Sequence, residues 1–285
     1  MAAVTTMAIA CSPHREQQVP SEESAAVETI ENKGSDTLVN LALAWVEAYT
    51  AEHPEVSISV TGGGTGTGIA ALINGTADIA NASRAMSAEE LADAQAKGIT
   101  PVQFEVARDA IAIVVHPDNP VDGLTLGQVS ALYVGWITNW SQVKGEDRPV
   151  VLLSRESNSG TYAYFLENVV RMGDKSSHLL LSPDTLLMPS SEGISAEVRQ
   201  NPNAIGYDGL GYITSDQKII AVAVNRGGKY VLPSVATVND GSYPISRPLY
   251  MYTAGEPQGV TRDYINWVLG PGQAYVAKLG FVPVE

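Results

Sequence analysis

Three short runs of glycine and hydroxyl residues constrain this chain more than any other feature: Gly34-Ser35-Asp36-Thr37, the GGGTGTG stretch from Gly62 to Gly68, and SRESNSGT from Ser154 to Thr161. Each leads straight into an apolar pattern with helical spacing. The first amide N–H groups of a helix have no intrahelical partners and carry partial positive charge, so glycines and hydroxyls placed there present donors to an oxyanion. Three such helix starts, one supplied with Arg155, can surround a single small anion. Strand, donor loop and helix recur as a unit, which points to an α/β architecture.

The strands and helices can be read from periodicity. Leu41, Ala42, Trp45, Val46 and Tyr49 fall on one helical face, and His53-Pro54 lies just beyond the last of them. Val56, Ile58 and Val60 alternate with Ser57 and Ser59 as a strand that enters the glycine loop. A helix carrying Ile69, Leu72 and Ile73 follows and is closed by Asn74-Gly75. Residues 88–97 read as a solvated helix. The uninterrupted apolar run 110–115 predicts a strand buried on both faces, and 150–153 predicts another that leads into the Ser154 loop and a helix with Tyr162, Phe165, Leu166 and Val169. Residues 201–212, rich in turn formers, are expected to line an edge. Strands at 219–224 and 247–252 and two closing helices complete the pattern. Two of the three donor loops follow a predicted strand, which is where α/β sheets bind ligands.

Charge and cysteine usage narrow the function. A net charge of −14 over 285 residues opposes nucleic-acid binding, which depends on an excess of Lys and Arg. It does not oppose a small anion, because distant surface charge is screened over roughly 8 Å. The single cysteine, Cys11, excludes an intrachain disulfide, and the four histidines match no metal-ligand spacing. Met7-Ala8-Ile9-Ala10-Cys11, followed by a polar stretch, resembles the lipidation signal and tether of a bacterial lipoprotein. Ala8 departs from the usual large aliphatic residue, and a chance cysteine in an N-terminal tether is the alternative.

The glycine loop ends in Gly68-Ile69, without the Lys and hydroxyl of a P-loop, and Thr67 breaks a dinucleotide fingerprint. Neither Gly-x-Ser-x-Gly nor HExxH occurs, so the chain is read as a binding protein and not an enzyme, with no cofactor and no metal. For Ser35 and Thr37 the competing reading is simple helix capping. For Arg84 it is a salt bridge.

In chain order, Gly34-Ser35-Asp36-Thr37-Leu38, the loop Gly64 to Ile69, Ala77 to Arg84, Ile137-Thr138-Asn139-Trp140, Arg155 to Thr161, Ala204-Ile205-Gly206-Tyr207 and Arg247-Pro248-Leu249-Tyr250 resemble the phosphate-binding proteins of bacterial high-affinity phosphate ABC transporters. The resemblance runs from about Glu28 to the end of the chain. It implies a two-lobed periplasmic-binding-protein (type II) fold with two crossing hinge strands, 110–115 and 247–252. Residues 1–25 would be a signal-like segment and tether. Residues 26–109 would form the first part of lobe 1, 110–246 lobe 2, and 247–285 the rest of lobe 1.

By the same resemblance phosphate would be held by Thr37, the N–H of Leu38, Thr65, Ser83 and Arg84 from the first lobe, and by Arg155, Ser159, Gly160 and Thr161 from the second. Ser35 joins them by its position in the loop. The protein would be a monomer outside the cytoplasm, lipid-anchored at Cys11 or periplasmic, and would hand phosphate to a membrane permease. Sulfate or molybdate, or a signalling or adhesion role, are the alternatives. Where Arg84 stands, better-known longer members of the family carry a carboxylate that accepts the proton of hydrogen phosphate. Asp36, Asp78 and Glu156 are the candidates to replace it.

Overall fold

The computed structural model describes residues 1–3 and 27–284, so Cys11 and nearly all of the expected tether lie outside the described residues. The chain runs β1 (Glu28–Gly34), α1 (Val39–Glu52), β2 (Val56–Thr61), α2 (Thr65–Ile73), β3 (Ile79–Ala82), α3 (Ala88–Ala96) and β4 (Val102–Val115). β5 (Gly123–Thr125), α4 (Leu126–Tyr133), β6 (Val151–Arg155), α5 (Gly160–Phe165), β7 (Leu186–Met188), α6 (Ser191–Gln200), β8 (Ala204–Gly209) and β9 (Lys218–Ala223) follow. α7 (Val235–Asn239), β10 (Ser246–Thr253), α8 (Gly259–Leu269) and α9 (Gln273–Lys278) close it.

Two α/β lobes share one long strand. In the first, the strand order is β2-β1-β3-β10-β4, with β1 parallel to β2 and β3, and β10 antiparallel to β3 and β4. In the second, the far end of β4 pairs with β8 and β9, β6 lies parallel to β8, and β7 lies parallel to β6. β4 serves both: positions 102–110 face β10, and Ile111 to Val115 face β8.

Strand periodicity explains why both lobes have a core on each side of the sheet. On β10, Leu249 and Met251 enter one cluster with Trp45, Ile79 and Trp267, while Tyr250 and Tyr252 enter another with Ile69, Leu72 and Met86. On β4, Ile111, Ile113 and Val115 pack with Tyr133, Phe165 and Tyr207, while Ala112 and Val114 pack with Leu153, Ile194 and Val198. Because alternate residues meet different clusters and every one is buried, the sequence there shows an apolar run and no alternation.

Several elements differ from the sequence reading. Residues 204–209, expected to line an edge, form the fully buried strand β8 between β4 and β6. Gly206 is required there, since a Cβ would sit 2.6 Å from Ile194, and such a glycine masks a strand in the sequence. Arg155 ends strand β6 and does not lie in the following loop. The helix after it gives way to a π-helical turn over Leu166–Val170. β1 was not anticipated, and with it all three donor loops follow a strand.

Candidate anion-binding site

The donor loops meet where β1, β2, β3 and β6 end. Their local geometry is set by glycines. Gly34 has φ +143°, and a Cβ there would lie 2.2 Å from the carbonyl oxygen of Asn81. That close approach of β1 to β3 delivers Ser35, Thr37 and Leu38 beside Ser83. Gly63 and Gly64, at φ +111° and +92°, turn β2 into α2 so that Thr65 opens the helix.

Buried hydroxyls from both lobes touch one another. Thr37 Oγ1 lies 2.9 Å from Thr161 Oγ1. Thr65 Oγ1 lies 3.3 Å from Ser83 Oγ and accepts the Ser83 N–H at 3.0 Å. Gly160 lies directly against this second pair: a Cβ on it would come within 2.4 Å of Thr65 Oγ1 and 2.5 Å of Ser83 Oγ. The lobes are therefore closed on each other. Asn158 seals the rim, accepting the Gly66 N–H through its carbonyl at 3.1 Å and donating from its side chain to the Gly63 carbonyl at 2.9 Å.

Arg155 is buried at the second-lobe wall, and four of the five N–H groups of its guanidinium are engaged, which leaves one on Nη1. It donates to Asp36 Oδ2 at 2.6 Å, Ser191 Oγ at 3.2 Å and the carbonyls of Met188 and Pro189 at 3.3 and 2.9 Å. Ser191 in turn donates to Asp208 Oδ1 at 2.7 Å. Burial pushes the Asp208 carboxyl up to about 7 against the opposing effect of Ser191 and Arg155, and its Oδ2 has no hydrogen-bond partner.

The other expected residues are distributed less evenly. Ser35 is buried and makes no capping bond with its side chain, and the Leu38 N–H closes a tight turn onto the Ser35 carbonyl at 3.0 Å. Ser159 caps α5, accepting from the N–H groups of Thr161 and Tyr162. Arg84 does not join the hydroxyl cluster. It forms a two-point ion pair with Glu90, both contacts at 2.7 Å. Glu90 is held below its ordinary value because these bonds outweigh the opposing effect of burial.

Of the three candidate carboxylates only Asp36 stands at the site, where Oδ1 accepts the Gly63 N–H at 3.0 Å and Oδ2 holds Arg155. Asp78 instead accepts the Glu31 N–H, and the exposed Glu156 makes no contact with the cluster. One residue at the cluster was missing from the sequence reading of the site: Arg247, at the start of β10, contacts both Thr37 and Thr161. Its place in the Arg247-Pro248-Leu249-Tyr250 motif was the available signal. Among the described residues no cluster of His, Cys, Asp and Glu is arranged to hold a metal ion, and no helix is long and apolar enough to cross a membrane.

Comparison with known proteins agrees with this architecture. A model of the PBP superfamily domain matches residues 19–271. The phosphate-binding protein PstS of Pseudomonas aeruginosa is 35% identical over 274 residues, covering 88% of this chain and 81% of that protein. A Clostridium perfringens crystal structure with bound phosphate, assigned as a phosphate ABC transporter substrate-binding protein, superposes with a TM-score of 0.80 at 32% identity, covering 90% of this chain and all of that one. An ABC-type phosphate transport receptor from Vibrio cholerae gives 0.70 at 28% identity, again covering 90% of this chain and all of that one. Fold and site define a two-lobed solute-binding protein. The chain belongs to the PBP superfamily, among the PstS-type phosphate-binding proteins.

Proposed function

We propose that this protein captures inorganic phosphate between its lobes and delivers it to the permease of an ABC transporter outside the cytoplasm, making and breaking no bond. The observation that carries this reading is the meeting of Thr37, Thr65 and Ser83 with Gly160 and Thr161, from opposite lobes, with the cation Arg155 bonded to Asp36, next to Thr37 in the same loop. The ligands are Ser35, Thr37, the N–H of Leu38, Thr65, Ser83, Arg155, Ser159, Gly160 and Thr161. Binding to this set requires that the lobes open, admit the anion and close, so ligand shifts that equilibrium by its extra contacts in the closed form. We take lobe 1 as 26–109 and 247–285 and lobe 2 as 110–246, a division supported by the separate clusters around Trp45 and around Tyr133. Lipid anchoring through Cys11 would keep the protein beside its permease.

Selectivity rests on Asp36. A carboxylate offers about four lone-pair directions, and two here are used by Gly63 and Arg155. A remaining one can accept the proton of hydrogen phosphate, whereas sulfate has no proton to give and meets repulsion. Arg84 plays an indirect part, since Glu90 occupies its guanidinium. The test is a calorimetric titration of ligand-stripped protein with phosphate and separately with sulfate near neutral pH. One-to-one binding of phosphate alone is expected. Sulfate binding of equal strength would remove Asp36 from its role, and silence with both anions would overturn the reading.

A further inference from the structure

We infer that Arg247 is a positioning residue for the anion, holding the hydroxyls of Thr37 and Thr161 as donors. This rests on the phosphate-binding reading and adds to it a residue from none of the three donor loops. Arg247 is 2% exposed and sits where the chain returns to the first lobe, directly opposite Asp109 in the β4–β10 pairing. Its Nη2 is a hub. It lies 2.8 Å from Thr161 Oγ1, 3.2 Å from Thr37 Oγ1 and 3.1 Å from Asp109 Oδ2, while Nη1 donates to the Ser83 carbonyl at 2.9 Å. The guanidinium thus touches one hydroxyl of each lobe, the β3 turn that carries a third, and a carboxylate on the strand that joins the lobes. The Tyr164 ring covers it at 5.7 Å.

The chemistry of the groups fixes the direction of these bonds. A guanidinium has donors and no acceptor, so the threonine oxygens accept from Arg247, sharing the two N–H groups of Nη2 with Asp109. Each hydroxyl has a single proton, and with a lone pair committed to Arg247 that proton must point elsewhere. In the closed structure the two hydroxyls bond to each other. An oxyanion entering between them takes both protons, and a neighbouring cation makes each hydroxyl a better donor. Without Arg247 either threonine can rotate and offer the anion a lone pair.

Asp109 fixes the guanidinium in turn. Its Oδ1 accepts the N–H of Leu210 in the second lobe at 3.2 Å, and Gly209 leaves it room, since a Cβ there would come 2.9 Å from Oδ2. Burial raises the Asp109 carboxyl above its ordinary value, opposed by Arg247 and by backbone donors. The pair therefore stands at the crossing of the lobes, with contacts into both.

The test is phosphate titration of four proteins: wild type, Arg247→Gln, Thr161→Val and the double variant. Arg247→Gln is expected to weaken phosphate binding by at least about 10-fold in the wild-type background and by only about 3-fold beside Thr161→Val, because one of the two hydroxyls it acts through is then gone. An equal loss in both backgrounds, or no loss in the first, overturns the inference. Should Arg247→Gln leave Asp109 unpaired and fail to fold, Arg247→Lys keeps the charge but not the fork, and carries the same expectation of a loss that Thr161→Val suppresses. Wild-type protein that takes up no phosphate would sink the parent reading. Wild-type binding with an unaffected Arg247 variant sinks this inference alone.

Discussion

The first lobe meets the cleft with the hydroxyls of Thr37, Thr65 and Ser83 and with Asp36, and keeps its cations tied to its own carboxylates, Arg84 to Glu90 and Arg247 to Asp109. The second meets it with a buried cation, Arg155, backed through Ser191 by a buried carboxylate, Asp208. One wall offers hydroxyls with its cations paired within the lobe, and the other adds the guanidinium of Arg155 to the hydroxyl of Thr161. An anion held by one lobe would feel either oriented hydroxyls or a single guanidinium. Closure brings both to it in a space where burial strengthens electrostatic contact. The difference teaches that the second lobe supplies the dominant attraction and the first lobe the shape.

That comparison breaks most visibly at Arg155. Arg155→Ala removes a charged hydrogen-bond partner and leaves Asp36 unpaired, so phosphate binding should weaken by roughly 1.5 to 3 kcal/mol, on the order of 10- to 100-fold. Unchanged affinity by calorimetry would dissolve the distinction between the walls. Gly160→Ala tests the shape side. The added methyl meets Thr65 Oγ1 and Ser83 Oγ at distances no Cβ tolerates, so the lobes must stay parted by some tenths of an ångström or the hydroxyls must turn away. A loss of about 10-fold is expected, equivalent to roughly 1.4 kcal/mol. The thermal midpoint should be kept, because alanine suits a helix start better than glycine. A destabilised variant that binds normally would contradict this.

Asp208 sharpens the comparison through pH. Burial raises its folded-state value to about 7, against an ordinary carboxylate near 3.8. Between these values the folded protein holds a proton that the unfolded chain has released, so stability falls as pH rises from about 4 to about 7 and is level beyond. Asp208→Asn should abolish that part of the slope, a change of up to a few kcal/mol at neutral pH. Parallel denaturation profiles for wild type and variant would show that Asp208 contributes nothing to the second lobe's charge balance.

How legible this was follows from what sequence periodicity records. The donor loops were readable because three runs of glycine and hydroxyl residues each precede a helix, and Thr37, Thr65 and Thr161 do stand together. β8 was hidden because Gly206 and Gly209 look like turn residues, whereas they are small to admit Ile194 and Asp109. Arg247 was hidden for a different reason. Its role depends on Asp109 across a strand pair, and a contact between residues 138 apart leaves no local pattern. Arg84 could be placed near the cleft from its position after β3, but its orientation is decided by Glu90 six residues on.

Arg84 therefore gives the smallest expected effect and the closest test of the claim that this first-lobe cation stays out of the cleft. The guanidinium–carboxylate pair is partly exposed, with 22% and 19% of the two side chains accessible, and Glu90 also caps α3 through the Ser87 N–H at 2.7 Å. Pairs of this exposure contribute less than about 1 kcal/mol. Arg84→Ala leaves Glu90 its cap and removes no contact to the hydroxyl cluster, so phosphate affinity should change by less than about 3-fold, under 0.7 kcal/mol. A drop as large as that from Arg155→Ala would mean that Arg84 leaves Glu90 when phosphate arrives. The first lobe would then bring a freed cation to the bound anion, and the two walls would differ in this way only before the ligand enters.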